Sequence, residues 1–579
     1  MGLTSALQIG HSALTASQIG IQLTGQNMAN AATPGYSRQL IGLAPARGDQ
    51  SILGLSIGSG VQIRGIQRAV DAALVDRLRA GVSSEHAAGR RLDLLSQVES
   101  TLNELTGEDI SSELSAFFNS WSERASLTDS SATVVQQGKK LADFLGRTRS
   151  ELERQRSQID RELTAVVNQA DLLLGEVGRI NEAIAEAEVG GAQANALRDQ
   201  RDQLVTELSA LIDVSVVEQP SGQLDVLSGS IPLVLGGASR GIELRRQSAG
   251  GAIEVSIHVR GDGSRLQVDS GAVGALLEGR EGSVNRMIDE LDTITGQLIF
   301  QVNKLHATGV ADGGYRSLTG TTRVAPSDIS RSLNSPLNAS LTDLPFAPQN
   351  GSLLVHVRDA ATGQLRTTQV EVDLDGIASD GSDSSADDMS LADFVAALDA
   401  VDGVSARLEP DGRVAIEADP GAEFSFAEDS SGVLAALGIN SYFTGTDASN
   451  IAVREDLLAS PGQLAVGAID GAGQLVDNGA ALAIAGLQDV ALDALGGQTI
   501  RGAWTTSVQR IGVETDAALT QAEATRAVRE GLEAQRAAVS GVSLDEEAIN
   551  LITYQQAFQG AARFVSVVND LQQLLMNII

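Results

Sequence analysis

Gly54-Leu55-Ser56-Ile57-Gly58 has the GxSxG spacing of a serine nucleophile, whose chemistry needs a strand, a sharp elbow and then a helix. Here Gly and Ser recur on both sides, as far as Gly58-Ser59-Gly60, and no periodic helix follows at once, so the motif lacks its frame. Asp373-Leu374-Asp375-Gly376, with Asp380, Asp383, Asp387 and Asp388 beyond it, gathers the oxygen ligands that calcium prefers. An EF-hand places Glu at the twelfth loop position, but counting from Asp373 reaches Ser384 and from Asp375 reaches Ala386. A solvated acidic loop is expected, with an adventitious calcium site as the alternative. His11, His86, His258, His306 and His356 are scattered and form no HxxxH pair, and no cysteine assists them. There is no phosphate-cradling loop and no GxGxxG after a strand. The expectation is no catalytic residue, no cofactor and no metal.

Composition narrows the class further. The 579 residues exceed what one core usually organises, so two to four domains are expected. Acidic residues number 74 against 41 basic, a formal net charge of -33 that repels nucleic acid and anionic lipid. The absence of cysteine removes disulfides, thiolate nucleophiles, iron–sulfur clusters and zinc ribbons together. Mean hydropathy is +0.02, and no run reaches 18 apolar residues, so no membrane insertion is expected. The N-terminus lacks the basic and apolar regions of a cleavable secretory signal.

The elements that would have to position any site show a pattern in where charge is missing. Met1 to Tyr36 hold no Asp, Glu, Lys or Arg, and Ala548 to Ile579 hold only Arg563 and Asp570. Leu7, Leu14, Ile21 and Met28 recur every seven residues, with Leu3, Gly10, Ser17 and Thr24 on the adjacent seam. Leu544, Leu551, Phe558 and Val565 repeat likewise, continued by Val568, Leu571, Leu575 and Ile578. Both stripes predict helices of coiled-coil type. Neither is fully apolar, so one helix alone would be marginal in water. Two readings fit: terminal helices docked on a core, or two ends that pair and pack in a crowded wall where charge would be costly to desolvate.

Between the ends the chain reads helix, β, helix, β, helix. A helical region is predicted from about 71 to 211, clearest at Leu145, Leu152, Ile159, Val166, Leu173 and Ile180, with Leu163, Ala170, Val177 and Ile184 on the neighbouring seam. Short strands with Gly-rich turns are predicted near 212–270, a helix from 273 to 305, a mostly β segment from 315 to 450 interrupted by a helix at 391–398, and helices from about 480 to 538. The predicted division is 1–45 with 540–579, 46–310 with 451–539, and a β-rich insert at 311–450. The fold class is multidomain α+β, with the terminal helices paired as a coiled coil, a long helical bundle domain and β-rich inserted outer domains.

Asn27-Met28-Ala29-Asn30-Ala31-Ala32-Thr33-Pro34-Gly35-Tyr36-Ser37-Arg38-Gln39 is physically a helix exit: small residues end the stripe, Pro34 forbids continuation and Gly35 permits a turn. Tyr36 and Arg38 follow the corner with an aromatic ring and a forked donor. The segment resembles the signature shared by flagellar rod, hook and hook-associated proteins, and Leu551 to Arg563 (LITYQQAFQGAAR) resembles their terminal motif. The Ser37-Arg38-Gln39 continuation, LSAFFNSW at 114–121, NALRDQRDQL at 195–204 and DNGAALAIAGLQ at 477–488 are similar to the hook-associated protein 1 family.

That resemblance implies a structural subunit at the hook–filament junction, outside the cell, secreted without a cleavable signal peptide. The partners it implies are copies of the chain in a ring, the hook protein, the next hook-associated protein along the axis, and an export chaperone on the C-terminal helix. The expected assembly interface comprises Leu7, Leu14, Ile21, Met28, Asn30, Gly35, Tyr36, Arg38, Leu551, Phe558, Val565, Val568 and Leu575. A flagellar hook or distal rod subunit is the nearer alternative; a secreted surface adhesin using the β-rich middle is the more distant one.

Overall fold

The computed structural model describes residues 2–46, 58–102, 109–127, 130–249, 252–311, 314–342, 344, 346–377, 387–470 and 474–578. From the N-terminus the chain runs α1 (Gly2–Ala29), the antiparallel strands β1 (Gln39–Pro45) and β2 (Val61–Arg68), then α2 (Ala72–Leu102), α3 (Ile110–Ser126), α4 (Ser131–Glu188) and α5 (Asn195–Leu211). Two antiparallel sheets follow: β3 (Ser215–Glu218), β4 (Leu224–Ser228), β5 (Ile231–Leu235) and β6 (Ala238–Ser239), then β7 (Ile242–Ala249), β8 (Ala252–Val259) and β9 (Arg265–Leu266). α6 (Gly271–Glu278) continues through a π-helical turn into α7 (Arg286–Ala307).

The next segment holds β10 (Gly309–Val310), β11 (Ser317–Thr319), β12 (Gly351–Asp359), β13 (Leu365–Val372), α8 (Leu391–Asp399), β14 (Val404–Leu408), β15 (Val414–Ala418) and β16 (Ala422–Ala427). It closes with α9 (Val433–Ala436), β17 (Phe443–Thr444), β18 (Ala452–Val453), α10 (Glu455–Ala459), β19 (Gly467–Ile469), β20 (Leu475–Val476) and α11 (Gly479–Gly486). The long α12 (Ile500–Ser540) and α13 (Leu544–Ile578) end the chain. This is the multidomain α+β architecture expected from the pattern.

The contacts resolve into two compact units. One comprises Met1–Leu94, Ile159–Gly279 and Asp516–Ile579; the other comprises Leu95–Gln158 and Arg280–Thr515. α4 shows how a long stripe is used. Leu145, Leu152 and Ile159 are buried, but further along the fully buried seam passes to Leu163, Ala170, Val177 and Ile184 while Val166 and Ile180 are half-buried. An α-helix of ~3.6 residues per turn drifts against a strict seven-residue repeat, so a straight helix moves its contact line by one position over a few turns.

In the second unit, β12 lies between β13 and β16, and α8 is buried through Leu391, Phe394 and Leu398 in the core that Leu353, Val355, Phe424 and Phe426 also form. Ser390 starts α8 with a reciprocal capping box to Asp393. A second cluster gathers much of the chain's scarce aromatic content. Trp121 lies 5.4 Å from Tyr442 and 6.2 Å from His306 between ring centroids, and Phe117 lies 5.6 Å from Phe443. Edge-on packing of this kind suits the ring quadrupoles. Tyr442 donates its hydroxyl to the Val134 carbonyl at 2.8 Å.

His306 is fixed as the neutral tautomer. Its Nδ1 lies 2.7 Å from the Asn440 carbonyl, an acceptor, and its Nε2 receives the Ala465 N–H at 3.2 Å. Burial pushes its pKa down to about 4; the Asn440 carbonyl opposes this, and the Arg454 charge adds to it.

Candidate functional site where the two ends of the chain meet

α1 ends where its sequence says it should. Asn30 donates to the Gln26 carbonyl, Pro34 comes next, and Gly35 takes φ +79, the left-handed conformation that Gly adopts without strain. The turn delivers Tyr36, Ser37 and Arg38 to the start of β1. α1 and α13 run antiparallel against each other: Gly10 faces Phe564 and Val565, Gly20 faces Tyr554, and Asn27 bonds Glu547.

At that last contact a polar cluster joins the two ends. Asn27 Oδ1 accepts from the Tyr36 hydroxyl at 2.8 Å and from the Gln39 N–H at 3.1 Å, while Asn27 Nδ2 donates to the Gln39 carbonyl at 2.9 Å and to Glu547 Oε2 at 3.3 Å. Arg38 Nε donates to Glu547 Oε1 and its Nη1 to Glu546 Oε2, both at 2.8 Å. The Arg38 backbone N–H donates to the Ser540 carbonyl at 2.9 Å, the last residue of α12. One arginine therefore spans the break between α12 and α13. Asn27 and Glu547 are almost fully buried, so each needs the partners it has.

The start of α13 favours this arrangement. The Glu546 N–H reaches Ser543 Oγ at 3.4 Å, and Asp545, Glu546 and Glu547 occupy the first turn, where the helix dipole attracts anions. Tyr36 has its pKa pushed up to about 12, chiefly by burial and then by the charges of Asp199 and Glu547, so it remains a donor to Asn27. A second set of charges holds the turn from below. Asp199 of α5 accepts from the Ser37 N–H at 3.3 Å and from Arg68 at 2.9 Å; Asp202 accepts from Arg68 at 2.8 Å and from Arg79 at 3.1 Å.

The residues expected at an assembly interface divide into groups. Tyr36 and Arg38 belong to the polar cluster, and Asn30 and Gly35 shape the turn beside it. Leu7, Leu14, Ile21 and Met28 are half-buried, whereas the α1 seam that is buried runs through Gly10, Ala16, Ser17, Gly20, Leu23, Thr24 and Asn27. On α13, Val568 is buried, Leu551 and Val565 are half-buried, and Phe558 and Leu575 are exposed, Leu575 at 50%. Asn27, Gln39, Asp199 and Glu547 were not singled out by sequence reasoning. Asn27 and Gln39 sit inside the quoted motif, but nothing local marks Glu547 as the partner of a residue 509 positions away.

The other groupings offer less. Gly54, Leu55, Ser56 and Ile57 lie outside the described residues, as do Asp380 and Asp383. Asp373, Asp375 and Asp388 bring carboxylate oxygens within 4.8 Å of one another. That loop is arranged by its own bonds, with Asp388 accepting from the Gly376 N–H and Asp375 from the Ile377 N–H. No described helix is long and apolar enough to cross a membrane.

Comparison with known proteins finds two family matches and several full-length relatives. Residues 95–318 match the family described as the flagellar hook-associated protein FlgK helical domain, and residues 534–578 match the flagellar basal body rod FlgEFG protein C-terminal family. Over its whole length the chain is similar to flagellar hook-associated protein 1 of Bacillus subtilis (25% identical, covering 98% of that protein). It is similar to the proteins of that name from Escherichia coli (24%) and Salmonella typhimurium (26%), in each case over 100% of both chains. Its fold is shared with the flagellar hook junction protein FlgK from Burkholderia pseudomallei, with a TM-score of 0.51 and 16% identity, over 80% of this chain and 100% of that one.

Proposed function

Because the chain belongs to the flagellar hook-associated protein 1 family, we propose that it is a structural subunit of the bacterial flagellum, placed at the junction between hook and filament. The observation that carries this reading is the union of the two ends: the N-terminal signature bonds the start of the C-terminal helix through Asn27, Arg38 and Glu547. The mechanism is mechanical coupling, with no reaction step assigned to any residue.

In this reading residues 1–45 with 540–579 form the element that enters the assembly. Pairing leaves apolar surface over: Leu7, Leu14, Ile21 and Met28 are half-buried, and Phe558, Leu571 and Leu575 are exposed on α13. Neighbouring copies in a ring cover that surface, with the hook protein on one side and the next hook-associated protein on the other. Before assembly an export chaperone covers α13. The chain leaves the cell unfolded and assembles outside.

Deleting the gene tests the placement. Complete hooks that carry no filament are expected. Absent hooks would overturn the junction assignment in favour of a hook or rod subunit. Surface binding that survives removal of both ends would instead point to an adhesin.

A further inference from the structure

α1, which is charge-free, and α13, which carries only Arg563 and Asp570 beyond its acidic first turn, each repeat every seven residues and so have a register problem. Coiled coils commonly choose their alignment with flanking charges. Met1 to Tyr36 carry none, and a slip of seven residues leaves the seven-residue repeat of both helices in phase. The glycines of α1 break that degeneracy. A Cβ built on Gly20 would lie 2.6, 2.7 and 2.8 Å from Cδ1, Cε1 and Cγ of Tyr554, so the ring rests directly on the glycine backbone. A Cβ on Gly10 would lie 2.5 Å from Val565 Cγ2 and 3.2 Å from Phe564 Cδ1. By contrast, Gly25 on α1 and Gly560 on α13 have nothing within 4 Å of such an atom, so close approach is not a general property of glycine in this pair.

We propose that Gly20 is the socket and Tyr554 the key that set the register of α1 on α13. A slip of seven in either direction would bring Tyr554 against Ala13 or Asn27, each of which has the Cβ that Gly20 lacks. It would also remove the Asn27–Glu547 bond, so the aromatic key and the polar cluster select the same alignment. Glycine inside a helix is unfavourable relative to alanine, so helix propensity alone predicts that Gly20→Ala strengthens α1. The socket predicts the reverse.

The absence of cysteine makes a clean test possible. Leu23 lies one turn before Asn27, and Leu551 one turn after Glu547, so L23C/L551C in the full-length chain reports the proposed register and L23C/F558C reports a slip of seven. Under mild oxidation the first pair is expected to form an intramolecular disulfide and the second not. Adding Gly20→Ala should lower the yield of the first at least tenfold, and Tyr554→Ala in that background should restore it. The proposal is overturned if Gly20→Ala crosslinks as well as or better than its parent, or if L23C/L551C fails to crosslink without it. The proposal deepens the reading of the paired ends as the assembly element, and motility separates the two. If crosslinking behaves as expected but Gly20→Ala without the engineered cysteines still supports normal filaments, the register key stands and that reading falls.

Discussion

Arg38 and Glu547, 509 positions apart in sequence, share a 2.8 Å charge-assisted hydrogen bond, and the Glu547 side chain is only 2% exposed. Among the described residues, Asn27 is the other side chain that bonds this carboxylate. Arg38→Ala removes the stronger of the two partners and leaves a buried carboxylate short of donors, a change that typically costs about 1–3 kcal/mol. Urea unfolding monitored by a probe on α13 should register that loss, and Arg38→Lys should recover only part of it, since an ammonium cannot bridge Glu546 and Glu547 as a fork does. A variant as stable as the parent would show that the pair does not hold the ends together.

A second prediction is pH-dependent. His306 titrates near 6.5 when unfolded and at about 4 when folded, so between those values the unfolded chain binds more protons than the folded one. Its contribution is fully present above pH 6.5 and is lost as pH falls towards 4, amounting to on the order of 3 kcal/mol. Urea midpoints measured from pH 7 to pH 4 should therefore fall less steeply in His306→Gln than in the parent. Equal slopes would contradict the assignment.

Trp121 supplies a third. It is fully buried against Phe117, Tyr442 and His306, and truncation to alanine should cost about 3–5 kcal/mol in thermal or urea unfolding. Trp121→Phe should cost much less, because the indole N–H has no hydrogen-bond partner among the described residues.

The fourth addresses assembly itself. Leu14→Asp, Ile21→Asp, Leu551→Asp and Phe558→Asp each place a carboxylate on the surface proposed to face neighbouring copies, where desolvation without a partner is prohibitive. Export of a chain with parental circular dichroism but no filament growth is expected in each. Normal filaments on any one of them would remove that residue from the interface.

Much of this molecule is legible one segment at a time. The β-strands near 215, 224, 353, 404 and 414, the helix at 391–398 and the long α4 all follow from local alternation or periodicity. What local pattern misdirects is the choice of seam. On α1 the apolar residues at 7, 14, 21 and 28 draw the eye, yet the buried line runs largely through glycines, serine, threonine and asparagine. The reason is geometric: Tyr554 and Phe564 are large, so the face opposite them has to be small. The polar cluster was half-visible for the same kind of reason. Its N-terminal members lie within thirteen residues of one another, but Glu547 reads as an ordinary first-turn carboxylate until the fold sets it against Asn27.

The break between α12 and α13 has a consequence for incomplete chains. Its geometry is set by Arg38, which touches Ser540 on one side and Glu546 and Glu547 on the other. A polypeptide cut short during synthesis lacks those acids, and one that has lost its leading residues lacks the arginine. Either fragment is without the instruction for that bend. The bend is thus an agreement between segments 509 positions apart, which no single stretch of the chain carries alone.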